Sequence, residues 1–450
     1  MVPRENVEIY CSPATLVAMI DLNDLRENPK AYKKAAKDKN LTIDFDAFLK
    51  LDDKRKELIP AVEDKRAKQN EASKQIPNLK GKEKEELLSE MKVLSADLKK
   101  AEGALKEIEV EWKSMQLMMP SIPLDRVPIG PDEKSNTEES TWGDMPTFDF
   151  KPKDHVELGE SLDIIDLPRA ANVSGSRSYF LKGDGARLQQ AVMRYTADHL
   201  HAKGWTLFCP PLMATYECFE GTGFFPGADE NQIYVVGGKN EKSGEMESDD
   251  LHLIGTSEVT VCSYHKGEIL KEKELPKRYA GYSACFRREA GTYGKDTKGL
   301  YRVHQFEKVE QVVLCRADQD EALKIFEEMR TNAEEVLQSL NLPYRVMNLS
   351  TGDSGKSKVF QQDIETWMPS RDSYGETHSC SYLGDFQARR LNIRYDDGAV
   401  KKFCHTLNNT CIASPRILIP ILEQYQNADG TITVPEVLRP YMGGQEKIGG

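Results

Sequence analysis

Between Ile43 and Leu117, apolar residues recur in alternating steps of four and three. Leu87, Met91, Leu94, Leu98, Ala101, Leu105, Ile108, Trp112 and Met115 form one unbroken seam. Phe48, Leu51, Arg55, Leu58, Val62, Lys65, Gln69, Ala72 and Ile76 form another, with polar residues at some positions. Such spacing draws one narrow stripe along a helix. Between the seams, Pro77-Asn78-Leu79-Lys80-Gly81 combines a helix breaker with a turn residue. The pattern predicts two antiparallel helices, each of about 30 residues or more and roughly 45–55 Å long. Pro60 is expected to kink or break the first. Each helix buries only a stripe, so the pair is expected to project as an arm.

After the arm the texture changes. Pro120 to Pro152 is rich in proline, aspartate and serine and reads as a linker. Beyond it, apolar strands, helices and glycine turns alternate to the end, with no internal repeat. Gly183-Asp184-Gly185-Ala186-Arg187-Leu188 opens an amphipathic helix running toward Gly204, and Trp205 to Cys209 read as a strand ending at Pro210-Pro211. Phe286-Arg287-Arg288-Glu289 reads as a strand, Ala290 to Gly299 as a glycine- and lysine-containing flap suited to phosphates, and Val303 to Glu310 as the returning strand. Texture divides the chain into an arm-bearing part up to residue 119, the linker 120–152 and a large mixed part from 153 on. Met19-Ile20-Asp21-Leu22 resembles the start of a known family, which implies that residues 1–18 are a disordered extension, 19–119 the arm-bearing domain and 153–450 an α+β catalytic domain.

Composition narrows the function. The formal net charge of the 450 residues is −12, which argues against a uniformly basic nucleic-acid binder but leaves room for a local basic face. Lys54, Arg55, Lys56, Lys65, Arg66, Lys68, Lys74 and Lys80 make the later part of the first arm helix basic. Glu83, Glu85, Glu86 and Glu90 make the start of the second acidic, as suits a helix N-terminus. A basic stripe is usually only a solvated face, though it could also track an RNA backbone. The nine cysteines are scattered without a C-x-x-C, which fits reduced cytoplasmic thiols and predicts neither disulfides nor zinc. No apolar run approaches the roughly 20 residues of a membrane helix. The first 18 residues are not Arg-rich, so no organelle import is expected.

Charged residues inside apolar strand patterns carry the chemistry. Arg287, Glu289 and Glu310 would be costly to bury without partners, so they suggest a site built for a charged ligand. Thr256-Ser257-Glu258 places a hydroxyl and a carboxylate two residues apart, on one face if the segment is a strand, where they could hold an ammonium group. Taken alone, that pair reads as ordinary surface. Ser350-Thr351-Gly352-Asp353-Ser354-Gly355-Lys356-Ser357 imitates a phosphate-binding loop but has Ser350 at the required first glycine, so it is rejected as a nucleotide site.

From Met19 onward, the chain resembles the seryl-tRNA synthetases of bacterial type, within the class II aminoacyl-tRNA synthetases. The Phe286–Glu310 segment looks like their motif 2, Gly183 to Pro211 like motif 1, and Asn408-Asn409-Thr410-Cys411-Ile412-Ala413-Ser414-Pro415-Arg416 with the following helix like motif 3. Asp385-Phe386-Gln387-Ala388-Arg389-Arg390 is a further family marker, expected to support the pocket. The resemblance implies an antiparallel sheet flanked by helices, a homodimer built on motif 1, and an arm that grips tRNA-Ser, and tRNA-Sec where present. From periodicity alone, a dimerisation coiled coil or a spacer would serve as well.

The resemblance also implies roles. Arg287 spans the substrate carboxylate and the ATP α-phosphate, with Arg416 and Glu310 completing the catalytic set. Thr256, Ser257, Glu258, Asn408, Thr410 and Glu310 bind L-serine, the last two reading its hydroxyl. Arg288, Glu289, Arg302, Val303, Phe306, Glu376, Thr377, His378 and Ser379 line the ATP site. Within it Glu289 accepts from the adenine, Phe306 stacks on it, and Glu376 and Ser379 hold Mg²⁺ with ATP. Departures from the family pattern are Gly255 before Thr256, the run Phe224 to Asp229, and an acidic insertion from Lys239 to Asp250. The expected activity is formation of seryl-adenylate and transfer of serine to tRNA. The alternatives are a relative that passes serine to another acceptor, or a non-catalytic RNA-binding paralogue.

Overall fold

A computed structural model describes residues 19–240, 246–290 and 299–449. The expected extension at residues 1–18 and most of the expected flap lie outside these residues. The chain divides into two compact units, Ile20–Pro120 and a larger one comprising Ser121–Gly450.

The first unit is dominated by helices α1 (Phe45–Gln75) and α2 (Lys82–Leu117), joined through a 3₁₀ turn at Ile76–Asn78. Asp44 caps α1 by accepting from the Ala47 amide at 2.9 Å. Gly81, at φ +58°, starts α2 in a conformation that favours glycine. Every position of both predicted seams is buried or half-buried, whereas most neighbouring positions are exposed. Cross-helix partners run in opposite directions along the chain: Asp52 with Trp112, Arg55 with Glu109, Arg66 with Glu102. The helices are therefore antiparallel. Pro60 sits inside α1 without ending it. It lies on the solvent face, where the carbonyl it leaves without a donor is open to water.

One buried acid organises this unit. Asp52 accepts from the Trp112 indole at 3.0 Å and from Arg26 at 2.5 Å, and Lys56 lies 3.0 Å away. Burial pushes its carboxyl up, but these donors together outweigh burial and hold it below the ordinary range. Arg55 stacks 4.2 Å over the Trp112 ring.

The second unit is built on an eight-stranded sheet. In chain order its strands are β1 (Thr137–Trp142), β2 (Thr206–Phe208), β3 (Lys277–Phe286), β4 (Gln305–Cys315), β5 (Tyr344–Asn348), β6 (Phe360–Met368), β7 (Ser373–Gly384) and β8 (His405–Ser414). In space they run β1-β5-β6-β7-β8-β4-β3-β2. Every pairing is antiparallel except β2 with β3, which is parallel. Strands β4 and β8 are central and almost wholly buried, although β8 is largely polar. Two amphipathic helices, α3 (Gly183–Ala202) and α4 (Gln319–Ser339), contribute Leu188, Val192, Met193, Phe326, Met329 and Val336 to the same core.

One expectation changes. The supposed linker holds β1, which pairs with β5 and stacks Trp142 on Tyr344 at 5.8 Å. Its polar sequence, exposed at every position before Trp142, is that of an edge strand, which composition alone does not distinguish from a linker. The imitation phosphate loop is a packing junction: the Thr351 and Gly352 amides donate to Pro128 and Gly130 carbonyls, each at 2.9 Å. A Cβ on Gly352 would stand 2.3 Å from the Pro131 oxygen, so that glycine serves a close backbone approach. The acidic insertion belongs to a hairpin of Val235–Lys239 with Met246–Leu253, and residues 241–245 lie outside the description.

Candidate active site

An open cleft lies over the sheet where β3 ends, β4 begins, and β7 and β8 run side by side. Arg287, Glu289, Arg302, Val303, Phe306, Glu376, Thr377, His378, Thr410 and Arg416 all line it. Sequence reasoning had picked each of these. Arg288 does not: it is exposed, and its charge acts on the Tyr234 phenol.

Arg287 and Glu289 stand just beyond β3, not within it as expected. The strand ends at Phe286, and Glu289 adopts φ +50°, which turns the chain out of the sheet. Arg287 nevertheless keeps its place, because its amide donates to His304 O at 2.9 Å and its Nε to Gly255 O at 3.3 Å. Its guanidinium lies 5.3 Å over the Phe306 ring. Among the described residues its two terminal nitrogens have no partner. A planar fork left open at a cleft wall matches a pair of oxyanions.

Arg416 closes the other side. It donates from Nε to Tyr301 O at 3.1 Å and from Nη1 to Glu376 O at 3.0 Å, and it stacks 4.4 Å over the Tyr301 ring. Arg302 faces Glu289 at 3.5 Å. Three arginines thus converge on one cleft.

Beneath Arg287 lies a polar floor. Glu310, on β4, accepts from the Thr410 hydroxyl on β8 at 3.1 Å, because β4 and β8 pair these residues directly at a register shift. Lys308 lies 2.5 Å from Glu310, and both side chains are almost fully buried. Burial pushes the Glu310 carboxyl above its ordinary range and the Glu258 charge adds to this; Lys308 and Thr410 pull it back. No role was assigned to Lys308 from sequence. Its separation from Glu310 by two residues on a strand, which puts both on one face, was the available signal.

Thr256-Ser257-Glu258 is a turn into the short helix Glu258–Ser263, not a strand. Thr256 Oγ1 accepts from the Glu258 amide at 3.2 Å, so a local side-chain-to-backbone turn overrides strand alternation. Glu258 is still buried, and it accepts from Asn408 at 2.8 Å and from Gln387 of the Asp385–Arg390 marker at 2.7 Å. Ser257 turns away and donates to Gly281 O at 3.2 Å.

Glu376 and Ser379 reach one face of β7 through a register shift. They pair with Glu365 and Asp363, two positions apart on β6. Ser379 accepts from Gln361 at 3.0 Å and does not line the cleft. Burial, and then the Glu376 charge, push the nearby Asp363 carboxyl well up. Hard oxygens that repel one another fit a divalent cation arriving with a polyphosphate. Among the described residues no group of three His, Cys, Asp or Glu could hold a metal by itself.

One supporting network went unseen in the sequence. His155 Nδ1 lies 2.8 Å from Glu423, which also accepts from Ser370, and His155 Nε2 accepts from the Leu300 amide at 3.2 Å. A Cβ on Gly299, at φ +74°, would stand 2.0 Å from that nitrogen. The network pins the segment whose next carbonyl, at Tyr301, holds Arg416.

Comparison with known proteins agrees with this geometry. Residues 241–425 match the model of the tRNA synthetase class II core domain (G, H, P, S and T). Fold and cleft together define a class II aminoacyl-tRNA synthetase. Residues 19–123 match the seryl-tRNA synthetase N-terminal domain. The serine–tRNA ligase of Deinococcus radiodurans is 48% identical over 96% of this chain and 99% of its own length. That of Nitrosopumilus maritimus is 41% identical over 96% and 100%. The crystal structure of seryl-tRNA synthetase from Pyrococcus horikoshii complexed with ATP superposes with a TM-score of 0.81 at 36% identity, over 95% of this chain and 99% of that one. The chain belongs to the seryl-tRNA synthetase family.

Proposed function

We propose that this chain condenses L-serine with ATP to seryl-adenylate and passes serine to the 3′-terminal adenosine of tRNA-Ser, and of tRNA-Sec where that exists. The observation that carries the reading is the open fork of Arg287, placed between an arginine-lined cleft and a buried Glu310–Thr410 floor. The fork bridges the serine carboxylate and the α-phosphate, neutralising charge as the carboxylate attacks phosphorus. Thr256 and Glu258 take the ammonium group, with Asn408 holding Glu258 in place. Glu310 and Thr410 take the hydroxyl. Adenine stacks on Phe306 and hydrogen-bonds to Glu289, which swings from Arg302. Arg416 and Arg302 hold the outer phosphates. No general base is needed in the first step, since a carboxylate is already a nucleophile and positioning supplies most of the acceleration. Pyrophosphate leaves in that step. In the second step a ribose hydroxyl attacks the adenylate carbonyl, AMP leaves, and a phosphate oxygen of the AMP accepts the proton.

Glu376 and Ser379 would hold Mg²⁺, which supplies charge neutralisation on the phosphates. A homodimer through the motif 1 region is supported by apolar side chains left open beside edge strand β2: Leu207, Leu212 and Met213 are 41%, 38% and 44% exposed. The basic later part of α1 supports the arm as the tRNA grip. No helix of the described residues is long and apolar enough to cross a membrane. The described cysteines are all free thiols, which supports the cytoplasm as the compartment. The test is serine-dependent pyrophosphate exchange followed by serylation of tRNA. Exchange without serylation would leave the adenylate chemistry standing and move the acceptor elsewhere.

A further inference from the structure

The floor of the cleft contains a buried lysine that the proposed chemistry does not use. Lys308 Nζ lies 2.5 Å from Glu310 Oε2 and within 3.4 Å of Thr410 Oγ1, and its side chain is 7% exposed. Thr410 Oγ1 in turn donates to Glu310 Oε2 at 3.1 Å. The three groups close a ring. The threonine hydroxyl spends its hydrogen on Glu310 and faces Lys308 with a lone pair. Glu310 Oε2 is taken twice. Among the described residues Glu310 Oε1 has no partner, so the polar capacity left on the carboxylate is an acceptor.

We propose that Lys308 is a specificity-determining positioning residue, which keeps Glu310 a carboxylate so that this floor demands a hydrogen-bond donor from the substrate side chain. This rests on the proposed serine activation and deepens it. A hydroxyl donates strongly to a carboxylate, a thiol weakly, and a methyl group not at all. A site with an unmet buried acceptor rejects the analogue that cannot meet it. Were Glu310 protonated, it could donate instead and the demand would be lost.

The surroundings show why a counter-ion is needed. Glu310 faces Lys308 on its own strand, Glu258 from the helix beside β3, Cys285 on β3, and Cys411 and Cys380 on β8 and β7. Lys308 is the one cation in this set. Glu258 repels a charge on Glu310, and burial disfavours it.

The test uses the full-length protein and serine-dependent pyrophosphate exchange from about pH 6 to 9. In Lys308→Met the acid limb of kcat/KM for serine shifts upward by about one pH unit or more, because the carboxylate returns only at higher pH. Discrimination against alanine falls about tenfold or more at neutral pH, while KM for ATP stays near that of the wild type. Lys308→Arg restores both the limb and the discrimination. Should Lys308→Met fail to fold, Lys308→Met combined with Glu310→Gln removes both charges together. That variant is expected to fold, to show no limb and to discriminate poorly. An unshifted limb with unchanged serine-over-alanine preference in Lys308→Met overturns the proposal, as does the same limb shift in Lys308→Arg. If the double variant still selects serine as the wild type does, the proposal also falls. A wild type without serine-dependent exchange would instead overturn the underlying function.

Discussion

Replacing His378 by glutamine should make the catalytic body more resistant to acid than the wild type. His378 is fully buried on β7, with Nδ1 2.8 Å from the Thr377 hydroxyl. Burial, with the Arg416 charge adding, pushes its imidazole down to about 3 from 6.5, against a smaller upward pull from the Cys411 backbone. In the unfolded chain the ring titrates at its ordinary value, so below that value the unfolded state binds more protons. The stability that rests on keeping the ring neutral is fully present above about pH 7 and is lost as pH falls toward 3. At pH 5 the loss relative to pH 8 is about 2 kcal/mol, and below pH 3 it would approach about 5 kcal/mol. His378→Gln loses packing at every pH, but that cost is the same at pH 8 and pH 5 and cancels in the comparison. Urea unfolding of both proteins at the two pH values gives four free energies. The wild type is expected to lose about 2 kcal/mol more than the variant on going from pH 8 to 5. A difference within about 0.5 kcal/mol would mean that His378 titrates normally and is not held neutral beside Arg416.

Arg287→Ala is expected to cut serine-dependent pyrophosphate exchange by on the order of 10²-fold or more, because it removes the fork that neutralises the attacking carboxylate; near-normal exchange would refute that role. Deleting residues 48–115 is expected to leave exchange largely intact while abolishing tRNA charging, read side by side on one preparation. Asp52→Ala strands the Trp112 indole and the Arg26 guanidinium and is expected to destabilise the arm-bearing unit by about 3 kcal/mol, seen as an earlier thermal transition by circular dichroism. Asp52→Asn, which keeps an acceptor, is expected to lose less.

What could be read directly from the chain was what repeats along it. The arm seams are legible because two helices bury one stripe each, so burial follows spacing at every position. Of the cleft, Arg287 and Glu289 were legible by residue type, as charges in an apolar strand pattern, while Arg416, Glu376 and Thr410 were legible only through the resemblance of their runs to family motifs. Local conformation was less legible. Thr256-Ser257-Glu258 has the alternation of a strand, but a threonine side chain that accepts from an amide two residues on bends it into a helix start. Strand β1 is polar because it is an edge, and its partner β5 is remote in sequence. His155 and Glu423 could not be paired from sequence at all, being 268 residues apart, and only the fold brings them together beside the Leu300 amide.

Crystals grown with a non-hydrolysable sulfamoyl mimic of seryl-adenylate would test the assignment of this cleft most directly. The expected complex has the Arg287 fork on the carbonyl and sulfamoyl oxygens, the ammonium group at Glu258, the hydroxyl on Glu310 Oε1 and the adenine between Phe306 and Arg416. Density for the mimic in another place, or its hydroxyl turned away from Glu310 with Arg287 unengaged, would contradict it.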